Sequence, residues 1–229
     1  PGACPGQLRA RRPRAGTVRC VPPAERPEDP ARGDHYFTAE PASPDERRLL
    51  TVRLAGREVR AWTAPGVFSP GRVDLGTQVL LREVPTPPAA GDLLDLGCGW
   101  GPLALTMALR SPGARVWAVD VNLRALDLVR RTAADLGLAR LHAVAPDEVP
   151  DDVAFAAIWS NPPIRVGKEA LHALLARWLP RLAPDGAAHL VVQRNLGADS
   201  LHRWLATGLG MQAERVGSAK GFRVLRVTR

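Results

Sequence analysis

The sequence predicts an α/β fold: a mostly parallel sheet with helices on both faces and an antiparallel strand pair near its carboxyl end. Three observations carry that expectation. Between residues 92 and 207, strand-length apolar runs alternate with segments of helical periodicity, and such alternation returns the chain to the same sheet edge through right-handed crossovers. The first of these strands passes directly into a loop with glycines at alternate positions, residues 92–101 (DLLDLGCGWG). The last two apolar runs, 212–216 and 222–227, flank residues 217–221 and read as a hairpin.

Taken in order, residues 1–33 combine Pro, Gly, Ala and Arg without apolar periodicity. They offer too little apolar surface to offset the entropy of ordering, so a disordered tail is expected; a basic arm holding RNA phosphates is the functional alternative. Residues 34–229 are expected to form one domain, with 34–90 as a hairpin and lid and 91–229 as the core. Runs 49–54 and 58–63 flank Ala55, Gly56 and Arg57 as a hairpin. Residues 66–81 (GVFSPGRVDLGTQVLL) move from a Ser-Pro-Gly turn into a helix with Val73, Val79 and Leu80 on its apolar side, closed off by Pro85, Pro87 and Pro88. Beyond the glycine loop, 103–110 reads as a helix and 115–121 as a strand. Asn122 then caps a helix whose Leu126, Val129, Ala133 and Leu136 recur at helical spacing up to Gly137. Strands follow at 141–145 and 155–160, then a helix at 169–182 kinked in its last turn by Pro180. A turn at Asp185-Gly186, a strand at 188–193 and a helix at 200–207 complete the series.

A chain of 229 residues with 45% apolar content can bury a core for one such domain. No apolar run approaches the roughly 20 residues that span a bilayer, and no signal-peptide pattern is visible, so a cytoplasmic protein is expected. Cys4, Cys20 and Cys98 have no metal-ligand spacing, and His35, His142, His172, His189 and His202 share none. That argues against a metal site, a disulfide framework or a Ser-His-Asp constellation. The net charge of +8 is carried almost wholly by arginine, with Lys168 and Lys220 the only lysines. About half of the excess lies in residues 1–33, where seven arginines meet Glu25, Glu28 and Asp29. The remaining body permits an RNA partner without requiring one.

The glycine loop and two acids define a cofactor site. Gly97, Gly99 and Gly101, with Cys98 among them, let backbone approach a ligand closely. Asp95, just before the loop, would repel a pyrophosphate but attract a cation. S-adenosylmethionine carries an ammonium group and a sulfonium and is the expected cofactor. Asp120 ends the next apolar run at about the separation expected of an acid that binds a ribose diol, with Val121 and Asn122 beside it.

A second motif, Asn161-Pro162-Pro163-Ile164, ends the strand at 155–160 and belongs on the same rim of the sheet. Two prolines stiffen the backbone and remove two N–H groups, leaving the carbonyls of Asn161 and Pro162 as unpaired acceptors. The Asn161 side-chain oxygen and the Pro162 carbonyl can hold both hydrogens of a planar amine, so that its lone pair faces a methyl donor. Catalysis would then be chiefly positioning. Trp100 and Trp159 adjoin the two motifs and are expected to pack.

Together these residues resemble the class I S-adenosylmethionine-dependent methyltransferases of the small-domain type, and in particular the ribosomal small-subunit RNA guanine-N2 methyltransferases. The resemblance rests on residues 68–81, 95–101, Asp120 with Asn122, residues 159–164, Gly167-Lys168 and residues 219–222, and it spans roughly 34–229. It implies a Rossmann-like, seven-stranded sheet with a reversed last strand. It assigns Asp95 to Gly101 and Asp120 to the cofactor and Asn161 to Ile164 to the target amine. The family often contacts adenine with an acid or amide after the third strand, where Asp147 and Glu148 stand, a solvated loop acid being the other reading. Phe68 lies in the matching lid stretch and is expected toward the substrate, and Lys168, after Gly167, reads either as a holder of a substrate phosphate or carboxylate or as a solvated first-turn lysine. Two departures stand out. Ile164 occupies a position where the family commonly has a base-stacking aromatic, and the additional amino-terminal domain copy of the longer members is missing from this sequence. The expected activity is N-methylation of a guanine amine, with ribosomal RNA or the small subunit as partner and neither membrane nor metal involved. A protein glutamine amide or small-molecule amine as substrate, and a non-catalytic cofactor-binding module in RNA assembly, are the alternatives left open. Ile164 favours the module; the intact Asn161, Pro162 and Pro163 oppose it.

Overall fold

The computed structural model describes residues 1–2 and 39–229. The expected tail beyond Gly2, with Cys4, Cys20 and His35, lies outside the described residues. All elements belong to the unit Asp34–Arg229. β1 (Arg48–Leu54) and β2 (Arg57–Thr63) pair antiparallel around Ala55-Gly56, both left-handed with φ of 49° and 81°. That is the two-residue geometry whose twist suits a hairpin. α1 (Leu75–Glu83) starts at Asp74, whose carboxylate accepts the N–H groups of Gly76 at 2.8 Å and Thr77 at 3.3 Å. Val73 therefore precedes the helix instead of lying on its apolar side. The buried face of α1 is Gly76, Thr77, Val79 and Leu80.

The remaining elements are β3 (Asp92–Leu96), α2 (Pro102–Arg110), β4 (Arg115–Val119), α3 (Leu123–Asp135), β5 (Leu141–Val144), β6 (Phe155–Ser160), α4 (Lys168–Trp178), β7 (Leu182–Gln193), α5 (Ala198–Thr207), β8 (Gln212–Ala219) and β9 (Phe222–Thr228). Seven strands form one sheet in the order β5-β4-β3-β6-β7-β9-β8, parallel except for β9, which runs antiparallel to β7 and β8. Side chains alternate across this sheet and feed two cores. Leu93, Val116 and Trp159 pack under α1, α2, α3 and the hairpin; Leu94, Ile158 and Leu190 pack under α4 and α5. The Trp62 backbone N–H donates to Thr132 Oγ1 and its indole to Asp135, tying the hairpin to α3.

Several boundaries differ from those the sequence suggests. β4 stops at Val119, which leaves Asp120 and Val121 in the loop beyond it. α4 stops at Trp178; Pro180 sits in a 3-10 turn, Leu179–Arg181, and Leu182 opens β7. Asp185-Gly186 is therefore not a connecting turn but part of a bulge within β7, where the register against β6 jumps from Phe155↔Leu182 to Ala157↔Ala187. Gly186 suits that place because a Cβ there would lie 2.6 Å from the Phe155 carbonyl oxygen. β8 runs on through Gly217 to Ala219, since its pairing with β9 continues, and the turn contracts to Lys220-Gly221 with φ of 49° and 81°. Among the described residues no helix is long and apolar enough to cross a membrane.

Candidate cofactor and acceptor site

In an open α/β sheet, ligands bind beyond the carboxyl ends of the strands where the strand order reverses. Here that point lies between β3 and β6, since β4 and β5 extend the sheet on one side of β3 and β6 and β7 on the other. The loop after β3 folds over the end of β4, with the N–H groups of Gly97 and Cys98 both donating to the Val119 carbonyl, at 2.8 and 3.0 Å. Asp120 then ties the loop to the start of α3: its Oδ2 accepts from Gly99 N–H at 2.8 Å and its Oδ1 from Asn122 N–H at 2.9 Å. Burial raises the Asp120 pKa against the pull of those N–H bonds. The Val121 N–H bonds the carboxylate as well, which leaves one of its acceptor positions open, and the side chain lines the cavity.

Asp95 is 1% exposed. Its Oδ2 accepts from Ala104 N–H at 2.8 Å, while Oδ1 has no partner among the described residues. Burial pushes its pKa up to about 8; the Ala104 bond opposes the shift and the charge of Asp120 adds to it. An orphaned, buried carboxyl oxygen is costly unless a cation or donor meets it. A ligand with an ammonium group fits that requirement, and a pyrophosphate does not.

The acceptor motif meets the loop directly, because a Cβ on Gly97 would lie 3.9 Å from Cδ of Pro163. Ser160 Oγ donates to the Leu96 carbonyl at 2.7 Å, clamping the ends of β6 and β3 together. Asn161 Nδ2 donates to Asp74 Oδ2 at 3.0 Å and to Thr77 Oγ1 at 3.1 Å. A carboxylate can only accept, so the amide nitrogen must face Asp74, and the Asn161 side-chain oxygen is left as an acceptor. The Pro162 carbonyl already accepts Ile164 N–H at 2.8 Å; contrary to expectation it is not unpaired, although one lone pair remains.

Gly97, Gly99, Asp120 and Val121 line one cavity of about 470 Å³ together with Asn161, Pro162, Pro163 and Ile164, whereas Asp95 lines a smaller hollow of about 20 Å³ that shares Phe68, Asp74, Gly97, Gly99 and Asn161 with it. Phe68, 37% exposed, covers the larger one from the lid. Other residues singled out from the sequence stand apart. Gly101, with φ of 90°, packs on α3, where a Cβ would lie 2.8 Å from Val129. Cys98 is buried, and burial pushes its thiol pKa well up. Asn122 lines the cavity, but its amide caps α3 through Ala125 N–H and donates to the Gly66 carbonyl. Asp147 is paired with Arg177 at 2.7 Å, leaving its neighbour Pro146 on the cavity wall. Lys168 is exposed at the first turn of α4 and is not among the lining residues. Trp100 and Trp159 are both buried.

Sequence reasoning missed Asp74, Leu174, Trp178 and Gln193. Only Asp74 carried a local signal, as an acid before a helix with backbone N–H groups two and three residues on. No group of His, Cys, Asp and Glu suited to a metal occurs among the described residues. The region thus combines a buried acid with an orphaned oxygen, Asp95, and an oriented acceptor, the Asn161 side-chain oxygen, in adjoining hollows that share lining residues.

Comparison with known proteins identifies the family. A family model for the methyltransferase small domain matches residues 58–226. The uncharacterised protein YbxB of Bacillus subtilis is 31% identical over 170 residues, covering 73% of this chain and 85% of that one. Ribosomal RNA small subunit methyltransferase C of Pseudomonas aeruginosa is 36% identical over 191 residues, covering 75% of this chain and 56% of the relative. Among solved structures, a 16S rRNA N2 methyltransferase of T. thermophilus in complex with AdoMet and guanosine superimposes with a TM-score of 0.68 at 26% identity, covering 81% of this chain and 51% of that one. The chain thus spans about half the length of the ribosomal RNA methyltransferases it matches.

Proposed function

The chain belongs to the methyltransferase small-domain family, and from that premise we propose that it moves a methyl group from S-adenosylmethionine to the exocyclic amine of a guanine in ribosomal RNA. When bound, the cofactor supplies an electrophilic methyl group on a sulfonium. Asp95 would hold the ammonium through its orphaned Oδ1, Asp120 the ribose hydroxyls, and Val121 and Pro146 the apolar face of the adenine. At the other end Asn161 Oδ1 and the free lone pair of the Pro162 carbonyl accept the two amine hydrogens and aim the nitrogen lone pair at the methyl group. As the N–C bond forms and the S–C bond breaks, leaving a neutral thioether, the nitrogen gains positive charge and its N–H groups become stronger donors, so both bonds tighten in the transition state; one of these protons then leaves to solvent.

The observation that carries this reading is the Asn161 amide, held by Asp74 and Thr77 in the one orientation that presents its oxygen as an acceptor. A domain that only bound the cofactor would gain nothing from that anchoring. The nucleic-acid class of the substrate is supported by the relatives named for ribosomal RNA.

The test is transfer of labelled methyl from S-adenosylmethionine to undermodified small-subunit RNA, naked or assembled, followed by nucleoside analysis. N2-methylguanosine is expected, with loss of about 100-fold or more in Asn161→Ala while cofactor affinity holds. Label appearing in a protein glutamine or a small amine, with none in RNA, would overturn the substrate assignment. No transfer to any acceptor despite tight cofactor binding would overturn the enzyme reading.

A further inference from the structure

We propose that Gln193 and Phe222 form a base-reading subsite beside the amine clamp, with Gln193 pairing with the guanine ring edge and Phe222 supplying the flat apolar contact that Ile164 lacks. This inference rests on the guanine-methylating reading above. Pairing across the sheet puts the parts together. Trp159 is level with His189 on adjacent parallel strands, so two residues further along β6 and four along β7, Asn161 and Gln193 emerge on the same face at the same carboxyl edge. Gln193 is in turn paired directly with Phe222 on β9. All three line the same cavity.

The carboxamide of Gln193 stands out among the described side-chain amides that are not exposed: those of Asn122 and Asn161 are committed to protein hydrogen bonds, while the unbonded amides of Asn195 and Gln212 face solvent. Gln193 is half-buried on the cavity wall, and its carboxamide makes no hydrogen bond with any described residue. A partly desolvated amide kept free at a ligand cavity is a group available to a ligand. Once the 2-amine of guanine lies on Asn161 and Pro162, the next two edge positions are the N1–H donor and the O6 acceptor. A carboxamide offers the matching acceptor and donor side by side. Phe222 is held against α1, where only Gly76 leaves it room; a Cβ there would lie 3.0 Å from the ring. It is therefore a stiff platform of the kind on which a base stacks.

The experiment begins by locating the methylated position with the wild-type protein, then compares synthetic RNAs carrying guanine or 2-aminopurine there. 2-Aminopurine keeps the amine but lacks O6 and the N1 hydrogen. The wild type should favour guanine by at least about tenfold in kcat/KM. Gln193→Ala should lose most of its rate on guanine and narrow the preference to less than about threefold, with cofactor affinity by calorimetry unchanged as the check on folding. Gln193→Glu keeps an acceptor for N1–H but opposes a carboxylate to guanine O6 and to the bare N1 of 2-aminopurine, so it should slow both RNAs. Phe222→Leu should weaken both RNAs alike. A Gln193→Ala protein that binds cofactor and keeps the wild-type preference would overturn the subsite alone, whereas a wild type that methylates no guanine would overturn the underlying function, a failure visible before any variant is made.

Discussion

Asp95 couples the chemistry of the site to pH. Its pKa rises from 3.8 to about 8 on folding, chiefly through burial. Between those values the folded chain holds a proton that the unfolded chain has lost. The group therefore lowers stability increasingly as pH climbs through that window, and the cost levels off above about pH 8. A ligand ammonium reverses the balance, because it needs the carboxylate and expels the proton. Affinity for S-adenosylmethionine should accordingly rise from pH 6 toward pH 8 and fall beyond it, where the ligand's own amino group, ordinarily near 7.7–8.0, loses its charge. Calorimetry in two buffers of different ionisation heat should find proton release below pH 8. Asp120 shares the buried surroundings and is also raised, so Asp95→Asn is the discriminating variant. It should bind more weakly and lose most of the rise between pH 6 and pH 8.

At the scale of elements, α1 links the lid to the Asn161 motif. Asp74 caps the helix and holds the Asn161 amide with the same Oδ2 atom. Replacing it by Ala should cost about 1 kcal/mol as a lost cap and, by freeing the amide to rotate, reduce turnover roughly tenfold while leaving cofactor affinity nearly intact. Asp74→Asn retains an oxygen for all three bonds and should restore both. Steady-state kinetics with separate cofactor and RNA titrations, alongside thermal melting, measures each effect. The bulge in β7 is positioning of a different kind: it takes up the chain around Gly186 so that β7 can leave the 3-10 turn at Leu179–Arg181 and still run beside β6 to the rim where Gln193 lies.

For the molecule as a whole, the central sheet is the wall between two cores, and the site sits at its carboxyl edge. Leu94, fully buried in β3, faces the core under α4 and α5. Leu94→Ala should destabilise the protein by about 2–5 kcal/mol through lost burial and the cavity left behind. Denaturant titration should show the midpoint falling with little change in slope. The same loss should leave cofactor affinity unchanged wherever the protein remains folded, because Leu94 does not line the cavity.

The sequence by itself determined whatever depends on near neighbours. Turn residues between two short runs marked the first hairpin, an apolar run marked β6, Asn122 announced itself as the cap of α3, and the spacing of Asp95, the glycines and Asp120 marked a site for a cationic nucleotide-like ligand. Only the tertiary structure decided which polar atoms remain free, since hydrogen-bond saturation is set by partners far away in the chain. Asn161 is oriented by Asp74, 87 residues earlier, and Asn122 spends its amide on Gly66, 56 residues earlier. Leu182 and Gly217 lie in strands, against their local reading, because neighbouring strands pair with them. Gln193 acquires its place in the site the same way, from β6 on one side and Phe222 on the other.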